Sequence, residues 1–278
     1  MPELPEAEVV ADQLRKSLLG SKLTDCWIGR DDIIREGRHT LPWYVGASLQ
    51  RIDRYGKSVA LKFSKQNEVK YVVAELGMTG LLLFRSVQPK HPQHVHVRLS
   101  FVGGQEPELH YWNPRRFGRL SLLDQAGLER YVARRFGCDP LSVTQEDFLQ
   151  VLRVRRGRLK SLLMHQQIIA GIGNIYANEI LFRTRLHPNR EVSRLREPVR
   201  VKLYDTMQAV LREAIECGGS SVRDFFAPDG TEGRYRHYHL VYGKEGQPCP
   251  NLCGRMIRRL QSERSSFVCP TCQTRRSA

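Results

Sequence analysis

No run of eighteen or more apolar residues occurs in the 278 residues, so the chain offers no stretch fit to cross a bilayer as a helix. The N-terminus also lacks the basic, apolar and small-residue succession of a secretory signal. These two absences place the expected protein in the cytosol, free or nucleoid-associated. No internal repeat and no low-complexity tract stands out, which argues against a solenoid or a disordered chain. Acidic residues are few for the number of basic ones: 29 Asp+Glu against 44 Lys+Arg, for a net charge of +15 and a pI near 9.8. An excess of that size points to a polyanionic partner, because each basic group that meets a phosphate releases a condensed counterion. What remains is ordinary for a globular chain. Apolar residues make up 41%, and the length suggests two or three units with ample core.

The pattern of apolar residues changes twice along the chain. Residues 5–19 predict a helix, with Pro5 in the first turn, Glu6 and Glu8 at the positive end of the dipole and Gly20 as a stop. Val10, Leu14 and Leu18 give it one apolar stripe. From about 22 to 124 short β-type runs follow, at Ser58–Phe63, Tyr71–Leu76, Leu109–Trp112 and Arg119–Leu123. Val95, Val97, Leu99 and Phe101 alternate with His96, Arg98 and Ser100, as a half-buried strand would. So many short strands suggest a sandwich or a barrel. The pattern breaks over 125–143, where Gly137-Cys138-Asp139-Pro140 reads as a linker. Helical spacing then dominates from about 144 to 216, with Val199, Leu203, Met207 and Val210 on one face and Gly218-Gly219 closing the run.

Seven cysteines fall into two groups. Cys26, Cys138 and Cys217 are scattered and read as buried thiols. Cys249, Cys253, Cys269 and Cys272 crowd near the C-terminus, with three residues inside the first pair, fifteen between the pairs and two inside the second. In a cytosolic chain that spacing reads as a four-thiolate zinc site on a β-hairpin, and a full ligand set makes the metal structural. Met256, Ile257, Leu260 and Phe267 supply apolar filling, and Arg255, Arg258, Arg259, Arg264, Arg275 and Arg276 make the module basic.

Two further stretches carry chemistry. Residues 166–179 pass through Gly171 and Gly173 into a second helix near Asn174, a favoured N-cap residue, and the amides at a helix start bind phosphate well. The same turn is also an ordinary helix corner, but Arg158 and Lys160 nearby favour phosphate. At the other end the chain opens Met1-Pro2-Glu3. Removal of Met1 would leave proline as a secondary amine, able to attack a carbonyl-level carbon and form an iminium, with Glu3 beside it as a proton donor. Taken alone, a Met-Pro start is equally an ordinary N-terminus.

Together these stretches resemble the formamidopyrimidine-DNA glycosylase family, bacterial enzymes that excise oxidised bases. The likeness runs nearly end to end. It rests on PELPEAE at 2–8, YGKSVAL at 55–61, ELGMTG at 75–80, NPRRFG at 113–118, AGIGNIYANE at 170–179, VYGKEGQPC at 241–249 and the terminal cysteines with Arg264 ahead of Phe267. It implies an α+β, multidomain chain. An N-terminal β-sandwich domain with its N-terminal helix would span 2–125 and a linker 126–143. A helix–two-turn–helix domain would span 144–240 and a zinc-finger β-hairpin 241–278. It implies Pro2 as the nucleophile at C1′ of the damaged nucleotide, Glu3 as the proton donor to the sugar ring oxygen, Glu6 as a supporting group and Lys57 on a β-turn reaching phosphate and lesion. Met78, Arg115 and Phe117 match a wedge that fills the hole left by the flipped base. Methionine fills the void, phenylalanine enters between bases, and arginine offers donors to the orphaned cytosine. Lys160, Asn174 and Arg264 match phosphate-gripping positions, and His94 is a further backbone contact or an ordinary surface histidine. One structural Zn²⁺ at Cys249, Cys253, Cys269 and Cys272 is the implied cofactor, and double-stranded DNA with oxidised bases the implied partner of a monomer.

The sequence departs from the family pattern at Asn113, where aspartate is usual, at Tyr55 for arginine, at His165 for an acidic residue and in the spacing of Cys249 and Cys253. The sister endonuclease VIII type, which prefers oxidised pyrimidines, shares Pro2, Glu3 and Lys57. Met78 with the 113–118 run favours the purine branch, hence 8-oxoguanine and formamidopyrimidines. A noncatalytic lesion-binding protein would keep the charge and the zinc module, and only Pro2, Glu3 and Lys57 separate it from an enzyme. The 220–240 segment, rich in Arg, Tyr and His, is where a flipped base would be capped.

Overall fold

The computed structural model describes residues 2–89, 91–222, 225–261 and 264–274. Met1, Arg223 of the capping segment, and Arg275 and Arg276 of the basic module lie outside the described residues. The chain forms two compact units, Met1–Arg134 with Ile215–Arg236 and Arg135–Ala214 with His237–Ala278. Among the described residues no helix is long and apolar enough to cross a membrane.

The first unit opens with helix α1 (Leu4–Leu18). Ala7, Val10, Ala11, Leu14 and Leu18 are fully buried, a stripe at three- and four-residue spacing that packs on strands β3 (Ser48–Tyr55) and β4 (Ser58–Lys65). Strands β1 (Lys22–Ile28), β2 (Ile34–Glu36), β5 (Glu68–Glu75), β6 (Leu81–Phe84), β7 (Val95–Val102), β8 (Glu108–Trp112) and β9 (Leu120–Asp124) join them, with a single-turn helix α2 (Leu41–Tyr44) between β2 and β3. All nine strands form one hydrogen-bonded sheet in the order β2-β9-β5-β4-β3-β1-β7-β8-β6. Leu61, Val72 and Leu120 from one half of that order line the same small cavity as Leu82, Val97, Leu99 and Leu109 from the other. The sheet therefore curls until its halves face each other, which makes the two layers of a sandwich. Tyr44, Phe63 and Phe101 fill the core in sequence, edge-on and then stacked.

One alternation differs from the sequence reading. His96, expected on the open face of β7, is 3% exposed. The register against β8 slips between Val95 and Val97, and the bulge turns the extra residue inward. The stretch 126–143, expected as linker, opens inside helix α3 (Gln125–Arg135). Only Leu128 and Tyr131 are buried along it, a stripe too thin to read against its polar residues.

Residues 215–236, placed by sequence in the helical domain, pack with the sandwich. Phe225 is 4% exposed within the sandwich core, the Phe84 amide donates to the Pro228 carbonyl at 2.8 Å, and Gln13 bonds the Asp229 carboxylate at 3.0 Å.

The second unit carries helices α4 (Gln145–Arg153), α5 (Leu159–Leu163), α6 (Asn174–Arg183) and most of α7 (Glu197–Glu216), then a hairpin of β10 (Arg258–Leu260) and β11 (Ser266–Val268). Thr144 caps α4, accepting the Asp147 amide at 3.1 Å. Leu203, Met207, Val210, Leu211 and Ala214 form the buried face of α7, and Gly218 follows it at φ +77°. Glu179 on α6, fully buried, accepts the amides of Leu240, Val241 and Tyr242 at 2.8, 3.0 and 2.8 Å, so one carboxylate fixes the chain leading into the cysteine module. Phe182, Val241 and Ile257 pack with Cys249 and Cys269 as that module's core.

Truncation of Phe225 to alanine should destabilise the first unit by about 3 kcal/mol or more, the usual cost of removing a buried phenylalanine. Urea denaturation followed by tryptophan emission reads it. A loss below about 1 kcal/mol would mean that the returning segment is not part of the sandwich core.

Candidate active site and metal centre

The N-terminus of α1 breaks a local rule. Its capping residue is Glu3, where serine, threonine, aspartate or asparagine is preferred, and both Glu3 and Glu6 are 1% exposed. Glu6 accepts the Glu3 amide at 2.7 Å as the returning half of a capping box, and accepts the Ser220 amide at 2.7 Å with its other oxygen. Gly219 sits against that carboxylate at φ +82°, where a Cβ would lie 3.0 Å from Glu6 Oε1. Pro2 is buried at the head of this arrangement. Two carboxylates concentrated beside the first amide bonds of a helix are electrostatically tolerable because the dipole's positive end faces them. They set an acid next to a nitrogen that becomes an amine if Met1 is removed.

Lys57 occupies the second place of a two-residue turn between β3 and β4, after Gly56 at φ +57°. Glycine first is what such a tight hairpin favours. Ser58, next in line, bonds the Tyr131 hydroxyl at 3.0 Å, and Tyr131 donates to Glu75 Oε1 at 3.2 Å. Glu75 pairs with Ser58 across the strands and is held by Arg35 at 2.9 Å. This chain of contacts links the lysine turn to the end of β5, from which the next loop departs.

That loop carries Met78, and the loop after β8 carries Arg115 and Phe117. The two meet backbone to backbone. A Cβ on Gly77 would lie 2.5 Å from the Gly118 nitrogen, and one on Gly118 2.1 Å from the Glu75 carbonyl. Asn113, fully buried, donates from Nδ2 to the Tyr111 hydroxyl at 3.0 Å, and that hydroxyl donates to the Glu75 carbonyl at 2.6 Å. The inturned His96 holds the Asn113 carbonyl from Nε2 at 3.0 Å. Burial pushes that imidazole below the usual histidine range, so it is neutral and donates there. On this base Met78 and Phe117 stand 39% and 55% exposed, with the Arg115 guanidinium 4.9 Å from the Phe117 ring centre. His94 lies half-buried beside it, its carbonyl accepting the Asn113 amide at 2.9 Å. The first unit thus brings together the loops of Met78, Arg115 and Phe117, with His94 at their base.

In the second unit Gln166 closes the glycine turn. Its Oε1 accepts the Gly171 amide at 2.8 Å, and its Nε2 donates to the Met164 and Ile172 carbonyls. Asn174 is the first helical residue of α6, with the extended Gly173 at the cap, so asparagine does not cap this helix as its type suggested. Asn178 ties α6 to the hairpin, accepting the Phe267 amide at 2.7 Å. Lys160 is 6% exposed, and its ammonium donates to the Ser265 carbonyl at 2.8 Å, Ser266 Oγ at 2.9 Å and the Arg264 carbonyl at 3.3 Å. It holds the β10–β11 turn, while the Arg264 side chain is exposed.

The four cysteines of the module converge, with their sulfurs all within 4.8 Å of one another and two pairs at 3.7 and 3.4 Å. Four thiolates about 2.3 Å from a tetrahedral zinc lie about 3.8 Å apart, so this donor set fits Zn²⁺ with no open position. The extra residue between Cys249 and Cys253 is absorbed at Leu252, which is left-handed at φ +53° and 91% exposed.

Sequence reasoning gave Glu8 only a place at the positive end of the α1 dipole, and gave Arg54 no role. Yet Arg54, on β3, is buried against Glu8 of α1, and its Nη1 reaches the Gly56 carbonyl at 3.2 Å. The signal was available in Glu8, the one acidic residue of the opening motif with no part in the implied site.

Comparison with known proteins agrees with this arrangement. Residues 1–120 match the formamidopyrimidine-DNA glycosylase N-terminal domain, 136–226 the formamidopyrimidine-DNA glycosylase H2TH domain, and 246–275 the zinc finger found in FPG and IleRS. The chain is 38% identical to the formamidopyrimidine-DNA glycosylase of Solibacter usitatus over 278 residues, covering 99% of this chain and all of that one. It is equally identical to that of Thermus thermophilus, with 98% of each chain covered. Among solved structures, the MutM (Fpg) protein of Thermus thermophilus superposes with a TM-score of 0.84 at 36% identity, over 98% of each chain. Lactococcus lactis Fpg in complex with abasic-site DNA gives 0.86 at 28%, over 98% of this chain and 99% of that one. Fold and site together define a DNA glycosylase built on a sandwich, a helix–two-turn–helix and a zinc hairpin. The chain belongs to the formamidopyrimidine-DNA glycosylase family.

A left-handed leucine costs roughly 1–2 kcal/mol, part of which glycine returns through its greater freedom in the unfolded chain. Leu252→Gly should therefore tighten the module by about 0.5–1 kcal/mol and raise the chelator concentration at half-release of zinc. Easier zinc loss in the variant would mean that the exposed leucine holds the knuckle in place.

Proposed function

We propose that this protein is a base-excision repair enzyme, a bifunctional DNA glycosylase and AP lyase acting on oxidised purines in duplex DNA. The observation that carries the reading is the exposed pair Met78 and Phe117 with Arg115 beside them, on two loops whose backbones brace each other through Gly77 and Gly118. Large apolar groups held outward on a rigid base suit insertion into a base stack. Extruding a base costs a few kcal/mol, which a filled void and a satisfied partner base offset. Arg115 presents donors that match the acceptors of cytosine.

With the base extruded, the Pro2 amine attacks C1′ and the bond from C1′ to the base nitrogen breaks. Glu3 protonates the ring oxygen as the sugar opens, leaving an iminium between Pro2 and C1′. Proton loss at C2′ expels the 3′ phosphate, a second elimination expels the 5′ phosphate, and hydrolysis frees the amine. Glu6 holds the Glu3 amide through these steps, and Lys57 meets phosphate near the lesion. Asn174, Arg264 and His94 grip the backbone, while Lys160 works from behind, through the hairpin it holds. Zinc at Cys249, Cys253, Cys269 and Cys272 keeps that hairpin folded and takes no part in the reaction. The enzyme works as a monomer on chromosomal DNA in the cytoplasm. Met78 and the 113–118 loop support 8-oxoguanine and formamidopyrimidines over the oxidised pyrimidines of the endonuclease VIII type.

A protein carrying a short extension ahead of Pro2 should bind a duplex with 8-oxoguanine opposite cytosine and leave it uncut, whereas protein beginning at Pro2 cuts it. Incision by the extended form, measured on denaturing gels, would overturn the proline mechanism. Lesions opposite cytosine should also be excised faster than those opposite adenine, and Arg115→Ala should erase the difference.

A further inference from the structure

Arg54 stands three residues before Lys57, on the last turn-facing part of β3. Its side chain is 6% exposed, and its Nε lies 2.5 Å from Glu8 Oε2 while Nη1 donates to the Gly56 carbonyl at 3.2 Å. The other Glu8 oxygen is held by Arg15 at 2.9 Å, and Arg15 Nε reaches the Ile52 carbonyl on β3 at 2.8 Å. Asp12 also bonds Arg15. Burial pushes the Glu8 carboxyl up, but the two guanidinium groups outweigh it and hold it below the usual carboxylate range. It therefore stays charged at neutral pH.

The network joins α1, which begins at Pro2 and Glu3, to the turn that presents Lys57. The Gly56 carbonyl and the Lys57 nitrogen belong to one planar peptide. Fixing that carbonyl fixes the plane from which the Lys57 side chain departs. A buried ion pair is a poor device for stability alone, since well-packed apolar residues often serve as well. The arginine fork, in contrast, bonds a carboxylate and a carbonyl at once, which lysine's point charge cannot do in the same geometry. Buried and already paired, Arg54 is not itself a surface phosphate contact.

We propose that Arg54, locked by Glu8, is a positioning residue that sets Lys57 against the N-terminus of α1. This rests on the reading that Lys57 meets the DNA at the lesion. A small misplacement of such a group can cost up to about 100-fold in rate.

The test is a double-mutant cycle on the full-length, zinc-loaded protein beginning at Pro2. Single-turnover excision of 8-oxoguanine opposite cytosine is measured for wild type, Arg54→Met, Lys57→Ala and the double variant, beside their denaturation midpoints. Arg54→Met alone should slow excision about 10- to 100-fold, and in the Lys57→Ala background it should change it by less than about twofold. Arg54→Lys keeps the partner of Glu8 and is expected to restore stability while excision stays slow. Multiplying, independent effects of the two substitutions would overturn the proposal, as would full recovery of rate together with stability in Arg54→Lys. Wild-type excision by Lys57→Ala would instead refute the role given to Lys57, an outcome read from that single variant.

Discussion

The carboxylate of Glu6 is the contact on which the proposed chemistry depends. With 1% of its surface exposed, it accepts the Glu3 amide with one oxygen and the Ser220 amide with the other. A nucleophile at a chain terminus has no following or preceding residue to hold it on one side, so its order must come from what it touches. Glu6 supplies that order from the first turn of α1, and at the same time anchors the chain returning from α7. Gly219 is needed where it stands, because at its positive φ and with Glu6 3.0 Å from a would-be Cβ any side chain is strained.

The second constraint is the close meeting of the loops bearing Met78 and Phe117. Gly77 and Gly118 let the two backbones touch, and the Asn113 Nδ2–Tyr111 hydroxyl bond and the neutral His96 on the Asn113 carbonyl brace the contact from beneath. Asparagine suits position 113 for a local reason. The Tyr111 hydroxyl already donates its hydrogen bond to the Glu75 carbonyl, so its oxygen calls for a donor, which an amide has and a carboxylate lacks. The departure from the family's usual aspartate is thus matched by its surroundings, and the apolar tips remain outside on a firm support.

The features legible in sequence share a cause: a periodic or closely spaced pattern set by local geometry. The stripe Val10, Leu14 and Leu18 predicted α1, the stripe Leu203, Met207 and Val210 predicted α7, and the four cysteines predicted a converging donor set. What the sequence hid depends on partners distant along the chain. The inward turn of His96 needs a bulge against β8, and the return of Phe225 to the sandwich needs contacts made across the whole unit. Lys160 is the plainest case. A lysine beside a glycine turn in a basic chain suggests phosphate, yet its ammonium is spent on the carbonyls of a turn more than a hundred residues away. Only the hairpin's position reveals that, and with it the reason Arg264 can point outward. Arg54 was hidden likewise, because its partner Glu8 lies on another element, 46 residues away.

Whether the Pro2 nitrogen is the nucleophile can be read by borohydride trapping with peptide mapping. Protein beginning at Pro2 is incubated with a duplex bearing 8-oxoguanine opposite cytosine, reduced during turnover and digested. A stable protein–DNA adduct through the Pro2 nitrogen is expected. An adduct mapping to a lysine, or excision with no adduct at all, would contradict it.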